Sequence, residues 1–115
     1  MRVWDISPSF LCRQHLLGEH RELHAIWSVI TKKKKGYSRH PETIRWMGKL
    51  KALYIRHQTL VVEMHKRNYT HKSDLPIKSA TGNKKQDIFI NTVEEQIVIL
   101  KKKNCSCFSF EVGEV

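Results

Sequence analysis

The sequence predicts an all-α fold: a single compact domain of three main helices, with a long irregular segment before the last helix. Three observations predict it. Apolar residues recur at helical spacing over two long stretches, from Phe10 to Ile30 and from Ile44 to Met64. Helix-start signals stand where such stretches begin: Ser7-Pro8, Pro41-Glu42, and Thr92 with Glu95 three residues on. Little supports a strand, and no internal repeat appears. A chain of 115 residues, 40% of them apolar, fits one domain with a modest core and is too short for two.

Taken in order, Ser7 as N-cap and Pro8 at the first helical position predict the start of the first helix. Its apolar face is Leu11, Leu16, Leu17, Leu23, Ile26, Trp27 and Ile30, with Gly18 a point of loosening near the middle. The pattern fades in "TKKKKGYSRH", where four lysines suit the negative end of a helix dipole and Gly36 marks a turn. A second helix opens at Pro41 and Glu42. Its stripe runs Ile44, Met47, Leu50, Tyr54, Val61 and Met64, widened by Trp46, Leu53 and Leu60, and "KRNYTH" ends it. Residues 72–91 hold Pro76, Gly82 and scattered polar groups, and read as the irregular segment. Thr92 and Glu95 make a capping-box pattern for a third helix with Val93, Ile97 and Leu100 on one face, closed by "KKKN". The tail "CSCFSFEVGEV" is expected to add a strand or an irregular cover.

Charge narrows the partners. Lys and Arg outnumber Asp and Glu by 21 to 11, a net charge of +10. Clustered cations are rewarded by counterion release from a polyanion, so nucleic acid is expected first and an anionic membrane second. "MRVWDISPSF" has Asp5 and no apolar core of a signal peptide, and no run reaches membrane-spanning length. Three cysteines, an odd number, suit a reducing, cytoplasmic compartment. Cys105 and Cys107 alone are too few for a structural zinc site, which needs four ligands.

The stretch "QHLLGEHREL", residues 14–23, is the densest in chemistry. His15, Glu19 and Glu22 fall at i, i+4 and i+7 and share a helix face. Leu16 and Leu23 flank that face. Apolar neighbours raise a carboxylate's proton affinity, while Arg21 lowers it. Three readings compete: a charged face with its ion pairs, a metal site on His15 and Glu19, and an acid–base centre. The order H-x-x-x-E-H departs from both zinc-helix patterns, and no second strong cluster supplies further ligands.

"MRVWDISPSFLCRQHLLGEHRELHAIW" resembles the start of the pyrimidine-dimer DNA glycosylases of the phage endonuclease V type. The likeness is tightest over Gln14-His15-Leu16, Glu19 and Arg21-Glu22-Leu23, and continues more loosely to Leu75. It implies a DNA repair glycosylase with AP-lyase activity. In that family the α-amine of the first residue is the nucleophile, and the glutamate of the R-E-L motif is its catalytic partner. Registered without gaps, these roles fall on Met1 and Glu22. The phage enzyme exposes a threonine once its methionine is removed; here Arg2 is too bulky for that removal, so the amine of Met1 takes the aligned position. An α-amine has a pKa near ~8 against ~10.4 for Lys, so about a tenth is neutral at pH 7. Arg2 and Arg21 lower that pKa further, and Glu22 opposes them. The implied reaction is amine attack on the sugar C1′, loss of the base, proton removal from C2′ assisted by Glu22, and β-elimination. It implies no metal and no cofactor. Gln14, Arg2 and Arg21 match positions that contact DNA near the lesion, and His15 matches a histidine beside the catalytic centre. Two departures stand out. Ala25 falls on or next to a family arginine, and the acidic tail replaces an aromatic, basic one.

Further cations suggest phosphate tracks: Lys32, Lys33, Lys34 and Lys35 with Arg39 and Arg45, and Lys66, Arg67 and Lys72 as another. Such contacts position a duplex without reading its sequence. A lesion is recognised by its lower cost of bending and base flipping. The expected partner is double-stranded DNA containing a lesion, with no membrane, and the chain is expected to act as a monomer. The rival readings are a non-enzymatic basic nucleic-acid-binding module of the same fold and, last, a metal-dependent hydrolase around His15 and Glu19.

Overall fold

A computed structural model describes residues 2–36, 38–71, 73–103, Cys105 and Cys107. The expectations placed on Met1, Lys72 and the tail 108–115 lie outside the described residues. Within them, four α-helices carry the fold: α1 (Arg13–Thr31), α2 (Pro41–Trp46), α3 (Leu50–Lys66) and α4 (Val93–Lys102). Short 3-10 turns lie at Pro8–Phe10 and Ile77–Ser79, and no strand occurs among the described residues. The protein is all-α, as expected.

The expected second helix is two. Gly48 adopts φ +73, which ends α2, and α3 starts afresh at Leu50. The loop that follows α3 returns to fill the gap. Lys51 and Ala52 at the start of α3 donate their amides to the carbonyls of Thr81 and Asn83, at 2.8 and 3.1 Å, and Asn83 donates back to the Gly48 carbonyl at 2.9 Å. Those amides are among the donors a helix start leaves without intrahelical partners. The break also shifts the helix phase. Ile44 and Met47, expected in the core stripe, are 53% and 48% exposed, while Trp46, Leu53, Leu60 and Met64 are buried.

α1 starts later than expected. Ser7 does not cap it; its hydroxyl pairs with that of Ser9 at 2.9 Å across the 3-10 turn, and α1 begins at Arg13 behind Cys12. The helix runs unbroken through Gly18 and buries Leu16, Leu23, Ile26 and Trp27. α4 has the expected capping box. The Glu95 amide donates to Thr92 Oγ1 at 3.1 Å, and the Thr92 amide to Glu95 Oε1 at 2.8 Å. Its inward residues are Gln96 and Leu100, whereas Val93 stays at the surface. The core lies between α1 and α3, closed by Trp46, Leu75, Leu100 and the N-terminal residues Val3, Trp4 and Ile6.

Candidate active site

The N-terminal segment has its backbone bonded by buried side chains. Glu42 Oε1 accepts from the Val3 amide at 3.1 Å, and Arg45 Nη2 donates to the Val3 carbonyl at 2.8 Å. Gln96 Oε1 accepts from the Asp5 amide at 2.8 Å, and the Trp4 amide donates to Glu19. Glu19, Glu42, Arg45 and Gln96 are each at most 3% exposed. A buried polar group is tolerated only when its hydrogen bonds are made, and here four such groups converge on three residues of an extended chain. Residues 3–5 are thereby fixed between α1, α2 and α4, and Arg2 is carried to the rim of an open depression.

That depression, about 610 Å³, is lined by Arg2, Trp4, Gln14, His15, Gly18, Glu19, Arg21, Glu22, His40, Ile99 and Lys103. It gathers every described member of the expected site near the lesion: Arg2, Gln14, His15, Arg21 and Glu22. All but Arg2 come from one face of α1. Arg2 stacks its guanidinium over Trp4, 4.9 Å from the ring centre, and donates to Asn91 Oδ1 at 3.1 Å. Arg21 and Gln14 are exposed, and Glu22 is half-buried.

Glu19 and Glu22 part company in this fold. Arg56 of α3 grips Glu19 with two hydrogen bonds, Nε to Oε2 at 2.6 Å and Nη2 to Oε1 at 2.9 Å. Burial pushes the Glu19 carboxyl above the usual range, and Arg56 and the Trp4 amide pull it back. Both Glu19 oxygens are thus engaged in holding α1 to α3, which separates Glu19 from the His15–Glu19 metal pair weighed from spacing alone. Glu22 has no such ion pair among the described residues and lines the depression.

His15 lines the depression and also meets two thiols. Its Nδ1 is 3.1 Å from Cys12 Sγ and 3.2 Å from Cys107 Sγ. Burial, then the charge of Lys103, lowers its pKa. Burial pushes the Cys107 thiol up to about 12. No disulfide joins the three cysteines.

The basic tracks need one correction and one refinement. Arg45, expected on a phosphate track, is 3% exposed and bonded to Glu42, Asp5, Val3 and Ile88, so no phosphate reaches it. Arg67 pairs with Glu63 and donates to the Pro8 and Leu11 carbonyls, tying α3 to the first turn. By contrast, Lys32, Lys33, Lys34, Lys35 and Arg39 are exposed. Lys35, Ser38, Arg39 and His40 line a second hollow, and His40 is shared with the first. Trp4, His40, Ile99 and Lys103 join the site without having been singled out in the sequence. They stand well away in sequence from the Arg21-Glu22 pair, and no local spacing marks them.

No helix among the described residues is long and apolar enough to cross a membrane. No curated protein and no solved structure matched the chain. The sequence model of one family does match, over residues 1–76: pyrimidine dimer DNA glycosylase. The match spans the N-terminal segment, α1, α2 and α3, and so all the depression-lining residues except Ile99 and Lys103. On that match the chain belongs to the pyrimidine dimer DNA glycosylase family of DNA repair enzymes.

Proposed function

We propose that this glycosylase also cleaves the strand, as an AP lyase acting on pyrimidine-dimer or abasic sites through an N-terminal amine. The observation that carries the reading is the meeting of Arg2, the neighbour of Met1, with Glu22 and Arg21 at one open depression. The α-amine of Met1 attacks C1′ of the damaged nucleotide, the C1′–N bond breaks, and the base departs with the bonding electrons. The attached nitrogen gives up a proton, and its lone pair opens the sugar ring by breaking the C1′–O4′ bond as O4′ takes a proton. The iminium so formed at C1′ acidifies the C2′ proton. Glu22 takes that proton, the C3′–O bond breaks, and the phosphate leaves on the downstream strand. Hydrolysis of the imine returns the amine. Proton transfer by a positioned carboxylate contributes roughly 10²–10⁴ in rate. Arg2, Arg21 and Lys103 surround the site with positive charge, which favours a neutral, nucleophilic amine and attracts phosphate.

Support for the DNA-binding part comes from the exposed Lys32–Lys35 run and Arg39, next to the hollow that shares His40 with the site. Borohydride trapping on a duplex with one abasic site tests the mechanism. A covalent adduct is expected, absent after the N-terminus is acetylated. An intact mass that retains an unmodified Met1 is expected as well. If no adduct forms while salt-sensitive binding remains, the chain is a binding module without lyase chemistry.

A further inference from the structure

Two groups of metal-ligating side chains lie outside the lyase chemistry. In the first, Cys12 and His15 at the start of α1 meet Cys105 and Cys107 beyond α4, with one donor atom from each inside a 4.8 Å cluster. An ordinary network of thiols accounts poorly for the bonding there. A neutral imidazole nitrogen offers one proton or one lone pair, yet His15 Nδ1 faces two sulfurs at 3.1 and 3.2 Å. The Cys12 backbone amide also donates to Cys107 Sγ at 3.1 Å, the outer-shell bond a metal-bound thiolate receives. Zinc–sulfur bonds of ~2.3 Å and zinc–nitrogen bonds of ~2.0 Å place sulfur and nitrogen about 3.5 Å apart in a tetrahedron, within a few tenths of an ångström of what is seen. Three cysteines and one histidine form a closed set for a structural zinc ion.

We infer that Cys12, His15, Cys105 and Cys107 bind one zinc ion that pins the segment after α4 onto the start of α1. His15 and Lys103 both line the depression, so the ion secures one of its walls. The test uses the full chain without an affinity tag. Cobalt loading should produce thiolate-to-cobalt charge-transfer absorption in the near ultraviolet, and zinc analysis should lose one equivalent per chain in Cys107→Ser and in Cys12→Ser. A cobalt-loaded wild-type chain without that absorption overturns the inference. So does a Cys107→Ser chain that keeps its full zinc content.

A different observation carries a second site. His20 and His24 of α1, His57 of α3 and His71 beyond it bring four imidazoles within 4.8 Å of one another at their donor atoms. His57 is fully buried, and its Nε2 lies 3.2 Å from His20 Nε2 and 3.1 Å from His24 Nε2. His57 Nδ1 lies 2.7 Å from Gln58 Oε1, while the single Nε2 position, one proton or one lone pair, faces two imidazole nitrogens and the Ser73 carbonyl at 3.3 Å. His71 Nε2 is buried without a hydrogen-bond partner among the described residues, while its Nδ1 lies 3.5 Å from Asp74 Oδ1. A carboxylate behind the far ring nitrogen is how a metal-bound histidine is oriented. Tetrahedral zinc with ~2.0–2.1 Å bonds holds neighbouring nitrogens about 3.4 Å apart.

The geometry points to a second divalent cation of the zinc class held by His20, His24, His57 and His71, joining α1, α3 and the segment after α3. Two zinc equivalents per wild-type chain are then expected, with one lost in His57→Asn and in His71→Asn while the cobalt–thiolate absorption persists. Cadmium NMR of the wild-type chain reads the same question without a variant: an all-nitrogen site resonates far from a three-sulfur one. A lone sulfur-type resonance, or unchanged stoichiometry in a folded His71→Asn chain, overturns the second site.

Discussion

Glu19 and Glu22 stand three positions apart on one helix face, and the fold gives them opposite surroundings. Glu19 is sealed against Arg56, whereas Glu22 opens onto the depression with Arg2 and Arg21. Glu22→Gln keeps the shape and removes the proton acceptor. Strand cleavage of abasic DNA should fall roughly 10²–10⁴-fold with DNA affinity nearly unchanged, read by single-turnover gel assays beside fluorescence anisotropy. Equal loss of binding and cleavage would falsify the assignment of Glu22 as proton acceptor. Arg45 belongs to the other kind of residue. Its guanidinium serves two carboxylates and two carbonyls inside the protein. Truncation to Met strands those groups, and stability should drop by about 3–5 kcal/mol, measured by urea unfolding. A loss below ~1 kcal/mol means that water replaces Arg45 easily and the N-terminal tie is weak.

At the scale of elements, α1 divides its circumference among three jobs. Leu16, Leu23, Ile26 and Trp27 face the core; Gln14, His15, Gly18, Arg21 and Glu22 face the depression; His20 and His24 face α3 and His71. Two glycines respond oppositely to a methyl group for this reason. Gly18 lies within α1, and a Cβ there meets nothing within 4 Å. Gly18→Ala should stabilise the protein by ~0.5–1 kcal/mol through helix propensity. Gly82 sits at φ +84 with a Cβ position only 2.1 Å from the Gly48 carbonyl oxygen. Gly82→Ala should cost about 1–3 kcal/mol, because it forces the loop away from the α2–α3 break. Urea titration of both variants reads the difference in sign, and a neutral Gly82→Ala means the loop does not need its close approach.

For the whole molecule, an excess of ten positive charges is distributed unevenly in role. Arg45, Arg56 and Arg67 are engaged in holding elements together, and Lys49 reaches Gln86 and Asp87. The exposed lysines after α1 have no such duty and lead towards the depression through Lys35, Arg39 and His40. Every phosphate that a lysine neutralises adds about 0.9 to the slope of log K against log salt. Changing Lys32, Lys33, Lys34 and Lys35 together to Ala should therefore flatten the slope by roughly 2–4, while cleavage of bound DNA keeps its rate. An unchanged slope makes this run an ordinary solvated face.

Local patterns in the sequence determined much of this. The helical class, the capping box at Thr92 and Glu95, and the helix face shared by His15, Glu19 and Glu22 all follow from spacings within a few residues, where chain geometry alone sets neighbours. The break between α2 and α3 was not legible, because Thr81 and Asn83 supply its bonds from about 30 positions away. Likewise Arg45 looks like any surface cation until Glu42, Asp5 and the Val3 carbonyl enclose it. The cysteines and histidines make the same point. Cys12 with His15, and His20 with His24, are visible as pairs on α1, but a pair cannot enclose an ion. Only the return of Cys105 and Cys107 past α4, and of His57 and His71 against α1, brings four donors together. Sequence spacing decided which side chains share a face; long-range packing decided which of them are bonded, buried, or left open to a substrate.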